Sequence, residues 1–516
     1  MLPSDSALFS SMNLLRASAF RELGAMEADR RIPIHLPNVE ETVMTPGEQI
    51  SILDFIPVGE HAAILNGTST YDATSGVQDA VDAAIAQRRT LFANGHYRLT
   101  STINIAGSLT IEGEGCEMQV GNLGAVQTRG KGSWFHLDHA GVGFLLEDPT
   151  QYRSGIEIRK IGTYRNQPST TGGSFTPANF DFDFVVARCD ACFEDISLYN
   201  PTQGILHRTG GYGRLSIDRL RGQPLRTGIQ IQDSADVCRL RGLHFWPFFS
   251  NASPVRQDML QNATAIVLND VDNPELESVF TIGYATALAC LPENGSGDMP
   301  VKVRLNEFDF DNGGRGIRIA SGGANGVTML IANGYILGSS SAAAGSSNIA
   351  VEGDDAVVLL DNVGLDLPKA SCIDVTGARN TLQIANISIG RWNFGAAGAP
   401  AINNNGTNSK ILLSGKPIVT APPTGATPWF GGTGVIQCPL LDASTLVTTD
   451  AAGRANITHG LGVAPRILIT NSYGNAFRQV QAVSAGSTFF TVEVRDAAGA
   501  VVALTQGIPV HFRLSY

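Results

Sequence analysis

Acidic side chains crowd one short stretch of the chain, Val303 to Asp311, where apolar and polar residues alternate. In an extended strand the alternation buries Val303, Leu305, Phe308 and Phe310 and turns Arg304, Glu307, Asp309 and Asp311 outward. Carboxylates gathered on one exposed face repel one another, which favours one of them holding a proton as a general acid does. One repeat earlier, Glu277 lies between Leu276 and Val279 and falls on the neighbouring rung if rungs stack. Cleavage of a glycosidic bond needs two carboxyl groups, about 5 to 5.5 Å apart for retention of configuration and about 6.5 to 9.5 Å for inversion. Glu277, Asp309 and Asp311, with Glu307 beside them, are therefore the expected catalytic carboxyls. The plain reading, that outward acids keep a surface wetted, applies to each taken singly.

Neighbouring residues point to a sugar. His244 and Trp246 in Leu243-His244-Phe245-Trp246-Pro247 face outward on the coil before Glu277, and indole faces are platforms for sugar rings. Trp246 packed under the Phe248-Phe249 segment is the structural alternative. Arg315 and Arg318 follow Asp311 by one strand, and Arg219 and Arg221 precede it by two coils; with an acidic glycan they would neutralise a uronate. That alternative is eliminative cleavage, with His244, Tyr284 and Arg315 as base and enolate-stabilising groups. His244, Trp246, Tyr284, Arg315 and Arg318 are the expected substrate-binding residues. Asp270, Asp272 and Glu275 lack a calcium-loop glycine and read as a polar turn. Cys189 and Cys192 form a lone Cys-x-x-Cys without a second pair, so neither metal nor cofactor is expected.

Stacked rungs are what would position these groups. Asn306, Asn333, Asn362 and Asn386 each precede an apolar or alternating segment, at spacings of 27, 29 and 24 residues. A second series of short apolar strands runs in phase: Ile205-Leu206, Ile229-Gln230-Ile231, Ile266-Val267-Leu268, Ile317-Arg318-Ile319, Ile349-Ala350-Val351 and Ile373-Asp374-Val375. Two strand series per repeat, separated by residues that tolerate a left-handed bend, predict flattened coils in which each strand pairs with the next coil. The expected fold is all-β: a right-handed parallel β-helix with an N-terminal helical segment and a small C-terminal antiparallel β domain. A leucine-rich horseshoe would need tighter leucine spacing and a propeller longer blades.

The 516 residues exceed one ordinary core, but a solenoid buries only neighbours against neighbours. A formal net charge of -11 argues against a nucleic-acid partner and against an anionic membrane surface. The chain start has no basic-then-apolar leader, and no apolar run reaches the roughly 20 residues of a membrane span. Synthesis in a cytosol without membrane insertion is expected.

Along the chain, Leu8, Met12, Leu15, Ala19, Leu23 and Met26 predict an amphipathic helix, for subunit association or attachment to a larger particle, within a segment 1–50 that ends as a linker. Residues 51–100 then carry Ser51-Ile52-Leu53-Asp54-Phe55, a loop from Pro57 to Ser75, a helix over Val77 to Ile85, and Phe92-Ala93-Asn94-Gly95-His96-Tyr97. This order resembles the opening of the pectate-lyase-like phage tailspikes and depolymerases, although the usual Gly-Asp-Gly between strand and helix is missing. The resemblance implies that the helix caps a β-helix occupying 101–420, with off-standing loops at 167–179 and 249–261. A Pro/Gly/Thr linker spans 421–439. Residues 440–516 alternate as strands, and Ile457-Thr458-His459-Gly460-Leu461-Gly462 and Thr491-Val492-Glu493-Val494-Arg495-Asp496 are similar to tailspike tip domains, which hold subunits together or touch carbohydrate.

Taken as a tailspike, the chain is expected to be a homotrimer in a virion tail, joined to other tail or baseplate proteins through its N-terminus. Its partner would be a bacterial surface polysaccharide, O-antigen or capsule, which it cuts by hydrolysis or by elimination. In several hydrolytic members a glutamate on one coil faces two aspartates on the next, an arrangement that Glu277, Asp309 and Asp311 match loosely. A spike that only holds sugar, or a structural tail protein, are the other readings.

Overall fold

An unbroken line of apolar side chains runs through the molecule in strict register: Ile158, Phe193, Ile217, Leu240, Leu276, Leu305, Ile331, Leu360, Ile384 and Leu413, each paired in parallel with the next. All are buried. A second line, Phe184, Ile205, Ile229, Ile266, Leu288, Ile317, Ile349, Ile373, Ile402 and Phe430, does the same in another sheet. The two lines form the core of a parallel β-helix. In the computed structural model its two sheets contain 19 and 12 strands among the described residues. The structure describes residues 49–119, 128–148, 155–208, 213–293, 296–394, 398–414, 418–419, 430–437, 441–447, 454–458, 466–471, 478–485, 489–496 and 508–515.

The second strand series expected from the sequence falls wholly in the 12-stranded sheet, and the asparagine-marked segments fall in the larger one. Strands of the larger sheet are bent once. Leu305 and Phe308 are both buried while Asn306 and Glu307 between them face out, so the strand turns a convex corner there. The corner residue adopts a left-handed backbone, and it recurs on nine successive rungs: Lys160, Asp195, Arg219, Gly242, Ser278, Glu307, Asn333, Asn362 and Asn386 all have positive φ. Glu307, not Asn306, occupies the corner position, because Asn306 pairs with Ala332 and Phe308 with Gly334. Asparagine suits the site because its short amide bonds along the ridge. Asn333 Nδ2 donates to Asn306 Oδ1 at 2.9 Å and Asn362 Nδ2 to Asn333 Oδ1 at 2.9 Å.

The N-terminal mouth is closed by the helix Thr74–Gln87, whose Val77, Ala80, Val81 and Ala84 are buried. Its Gln78 takes the place of a missing strand: Nε2 donates to the Asn104 carbonyl at 2.9 Å and Oε1 accepts from the Asn104 amide at 2.8 Å. One side-chain amide thus satisfies the exposed edge of strand Ile103–Ile105. The expected loop from Pro57 contains an additional helix, Val58–Leu65, which buries Ile64.

Residues 249–261, expected as a polar loop, contain the helix Ser253–Asn262. Its Val255, Met259 and Leu260 are buried, and Arg226 pairs with its Asp258, so the segment is docked on the body. By contrast, residues 165 to 181 form an irregular excursion with neither helix nor strand. It is pinned by Arg165, fully buried with Asp183 at 2.8 Å and donating also to the carbonyls of His139, Gly141 and Asp181. Thr163 completes the knot by donating to Asp183.

Parallel pairing starts with Gln49–Ser51 on Thr90–Ala93 and continues through Val435–Gln437 on Lys410–Leu413, so rungs run past residue 420. Beyond them, Leu441–Val447, Ile508–Ser515 and Arg466–Asn471 form one antiparallel sheet and Arg454–Thr458, Phe489–Asp496 and Arg478–Ala485 a second. The expected N-terminal helix over residues 5–31 lies outside the described residues. Among the described residues no helix is long and apolar enough to cross a membrane.

Candidate active site

Past the corner, the outward positions of successive rungs line up into a column. Parallel register places Arg221 beside His244, His244 beside Phe280, Phe280 beside Asp309, Asp309 beside Tyr335, and Tyr335 beside Gly364. Neighbouring strands are about 4.8 Å apart, so the column is a track of aromatic groups with a carboxylate set among them. Two residues further along the strands lie Trp246, Ile282, Asp311, Leu337 and Asp366, with Ile282 paired to Asp311 and Leu337 to Asp366.

Aromatic rings cluster at the upper end. His244 lies 5.2 Å from Phe280, 5.4 Å from Phe248 and 6.1 Å from Trp246, and Trp246 lies 6.1 Å from Phe280. Trp246 is half-buried. His244 keeps an exposed edge, yet the surrounding rings remove water and Arg221 adds positive charge; both effects hold its pKa below the ordinary imidazole value. Arg221 is itself tied down, donating to Ser197 Oγ and to the Cys116 carbonyl, each at 3.0 Å.

Asp309 and Asp311 are half-buried on the same face of one strand. Alternate residues of a strand are about 6.6 Å apart along the backbone, so their carboxyl groups can span either glycosidase separation. Asp311 accepts from Asn312 Nδ2 at 3.0 Å. It also lines a small recess with Thr281, Gly313 and Arg315.

Glu277 and Glu307 are not on this flank. Glu277 pairs with Asn306 on the other side of the corner, where its carboxylate lies 3.8 Å from Arg241. Glu307 sits on the ridge itself and accepts from Ser278 Oγ at 3.1 Å. Side chains diverge across a convex bend, so Glu277 and Asp309 lie on opposite sides of the ridge.

Tyr284 is corrected more sharply. It is buried, and its hydroxyl donates to the Pro224 carbonyl at 3.0 Å; burial drives its pKa well above the ordinary phenol value, which removes it from both substrate contact and base chemistry. Arg318 belongs to the 12-stranded sheet and is paired with Glu352 at 2.9 Å, away from the acid flank. Arg315 opens the same strand and lies 3.5 Å from Glu352. Cys189 is buried and Cys192 half-buried; both thiols are free, with pKa values pushed up by burial to about 12 and about 11.

Two residues of the flank were not singled out from sequence, Tyr335 and Asp366. The Tyr335 hydroxyl lies 3.4 Å from Asp366 Oδ2, and Asp366 Oδ1 is held by the amides of Leu367 at 2.8 Å and Arg391 at 2.7 Å. The ring of Tyr335 lies across Gly364, where a Cβ would come within 2.4 Å of it.

The fold and this flank define the class as a parallel β-helix carrying a surface track of aromatic and carboxylate groups. No protein-family model matches the chain, and no curated protein sequence does. Among solved structures the chain is similar to a tailspike protein mutant of E. coli bacteriophage HK620 in complex with a pentasaccharide, at 12% identity over 91% of this chain and 93% of that one, TM-score 0.47. It is similar also to the tailspike protein gp49 of Pseudomonas phage LKA1, at 12% identity over 90% and 99%, TM-score 0.39. A third is ORF18 of Geobacillus virus E2, at 13% identity over 90% and 76%, TM-score 0.34. At such identities no residue role carries over from one chain to another.

Proposed function

We propose that this protein is a phage tailspike that binds a bacterial surface polysaccharide and cuts it by glycoside hydrolysis, with Asp309 and Asp311 as the two carboxyl groups. The observation that supports this reading is the column in which Asp309 stands between Phe280 and Tyr335, with Asp311 beside it on the same face. Sugar rings offer an apolar face to aromatic side chains and a glycosidic oxygen between successive rings. A carboxyl between two aromatic groups is therefore placed to meet that oxygen. Asp309 takes the part of the proton donor and Asp311 that of the nucleophile or of the base that activates water.

Elimination is less well supported. It requires a cation for the uronate and its enolate, whereas Arg315 and Arg318 are engaged by Glu352 and Tyr284 is buried. The same reading makes a homotrimer the working assembly, residues 1–50 the attachment to the tail, and residues 440–516 a subunit or carbohydrate contact.

Incubation with purified O-antigens and capsules, followed by sizing of the products and detection of reducing ends, tests the proposal. New reducing ends without an unsaturated uronate chromophore are expected. A chromophore would turn the reading to a lyase, and binding without shortening would turn it to an adhesin.

A further inference from the structure

Resting on the reading above, we infer that Tyr335 is a sugar-binding platform, set on the opposite side of Asp309 from Phe280 and Trp246. Three features build the platform. Gly364, the residue paired with Tyr335 on the next rung, leaves the space that the ring occupies; any side chain there would collide with Cδ2. Asp366, fixed by two backbone amides, anchors the hydroxyl end. Tyr335 itself is half-buried, so part of it remains open on the surface, where an aromatic side chain can pack on a sugar ring.

On the opposite side of Asp309, one rung away, stand Phe280 and behind it Trp246. The two aromatic stations are two rungs apart, about 10 Å, which is close to the length of a disaccharide. The carboxyl of Asp309 lies between them.

This geometry also narrows the substrate class. Asp309, Asp311 and Asp366 supply negative charge along the track, His244 is held toward its neutral form, and Arg221 is occupied by Ser197 and Cys116. The cations bordering the track are already paired, Arg391 with Asp366 at 3.6 Å and Arg315 with Glu352 at 3.5 Å, so a uronate would have to compete with those carboxylates for them. The track fits neutral or amino-sugar repeats.

The test uses the full chain with purified neutral O-polysaccharides and uronate-containing capsules as probes, in wild type, Tyr335→Ala, Tyr335→Phe and Trp246→Ala. On the polymer that wild type cuts, Tyr335→Ala is expected to raise KM about tenfold with kcat within about threefold, a change of roughly 1.4 kcal/mol in binding. Tyr335→Phe keeps the ring and is expected to restore KM to within about threefold of wild type. The products of Tyr335→Ala are expected to be longer than those of wild type. If wild type binds without cutting, the same ordering is read from the dissociation constants. Unchanged KM and product lengths in Tyr335→Ala, while Trp246→Ala is impaired, would overturn the platform and leave the hydrolase reading intact. Preference for a uronate polymer would overturn the substrate class. A wild type that neither binds nor cuts any probe overturns both readings together.

Discussion

Asp309 and Asp311 hold their positions because strand alternation leaves them no other face, and their separation is a property of the backbone. Asp309→Asn keeps the shape and removes the acid. It is expected to lower the rate of reducing-end formation about 10³-fold, with polysaccharide binding retained in a pull-down. Equal activity in the variant would remove Asp309 from the chemistry. His207 makes a different prediction. Its ring is fully buried between Val186 and Ile231, neither nitrogen has a hydrogen-bond partner, and burial pushes its pKa down to about 3. Above about pH 6.5 the ring is neutral in folded and unfolded chains alike and pH has no leverage through it. Between about pH 6.5 and 3 only the unfolded chain takes up the proton, so folding stability falls with acidification, by on the order of 4 kcal/mol over the window. His207→Leu is expected to flatten that acid limb in a series of urea melts. Parallel pH profiles for the two proteins would contradict it.

At the scale of strands and corners, Asn333 has a left-handed backbone and bonds both neighbours of the ridge. Asn333→Ala loses both bonds and adds backbone strain, about 3 kcal/mol together, while Asn333→Gly spares the strain and is expected to cost about 1 to 2 kcal/mol. Equal denaturation midpoints for the two variants would refute that division. Asp183→Ala leaves Arg165 charged and unpaired in the core and is expected to cost about 3 to 5 kcal/mol, with the bond after Arg165 becoming the first one open to trypsin.

The corners are also where sequence reading fell short. Asn306 shares its residue type and almost its spacing with Asn333, so the repeat was framed one residue early; the register aligns Glu307 with Asn333. That single step hides the neighbour of Asp309: the early frame sets Ile336 beside it, and the true one Tyr335. Glu277 was drawn toward Asp309 for a related reason, since a flat strand has no ridge between them. Core columns were legible because every rung repeats the same apolar signal, whereas the pairing of outward groups depends on registration that no single rung encodes. The helix Ser253–Asn262 was missed because its buried face amounts to Val255, Met259 and Leu260 among polar residues.

Across the whole molecule, each rung is held by the ones above and below it, and the ends need separate closure. The helix Thr74–Gln87 closes one end, and Gln78 finishes its strand edge. Gln78→Ala is expected to open that edge and to promote concentration-dependent association seen by light scattering, with the central rungs intact in hydrogen exchange. Sedimentation of the full chain is expected to report three times the 54.5 kDa of one subunit. A single-chain mass would remove the trimer from the proposed assembly.

The excursion at 165–181 and the helix Ser253–Asn262 both leave the coil between one sheet and the other, where no interstrand register has to be kept. Length changes there leave the strand register intact, even though each of these two connections is anchored on the body by buried side chains. One extra residue between Arg304 and Phe310 has the opposite outcome: it would turn the following side chains inside out, sending phenylalanine to water and aspartate to the core. Variation among descendants of this chain should accumulate as swapped hoops around an unchanged barrel stave.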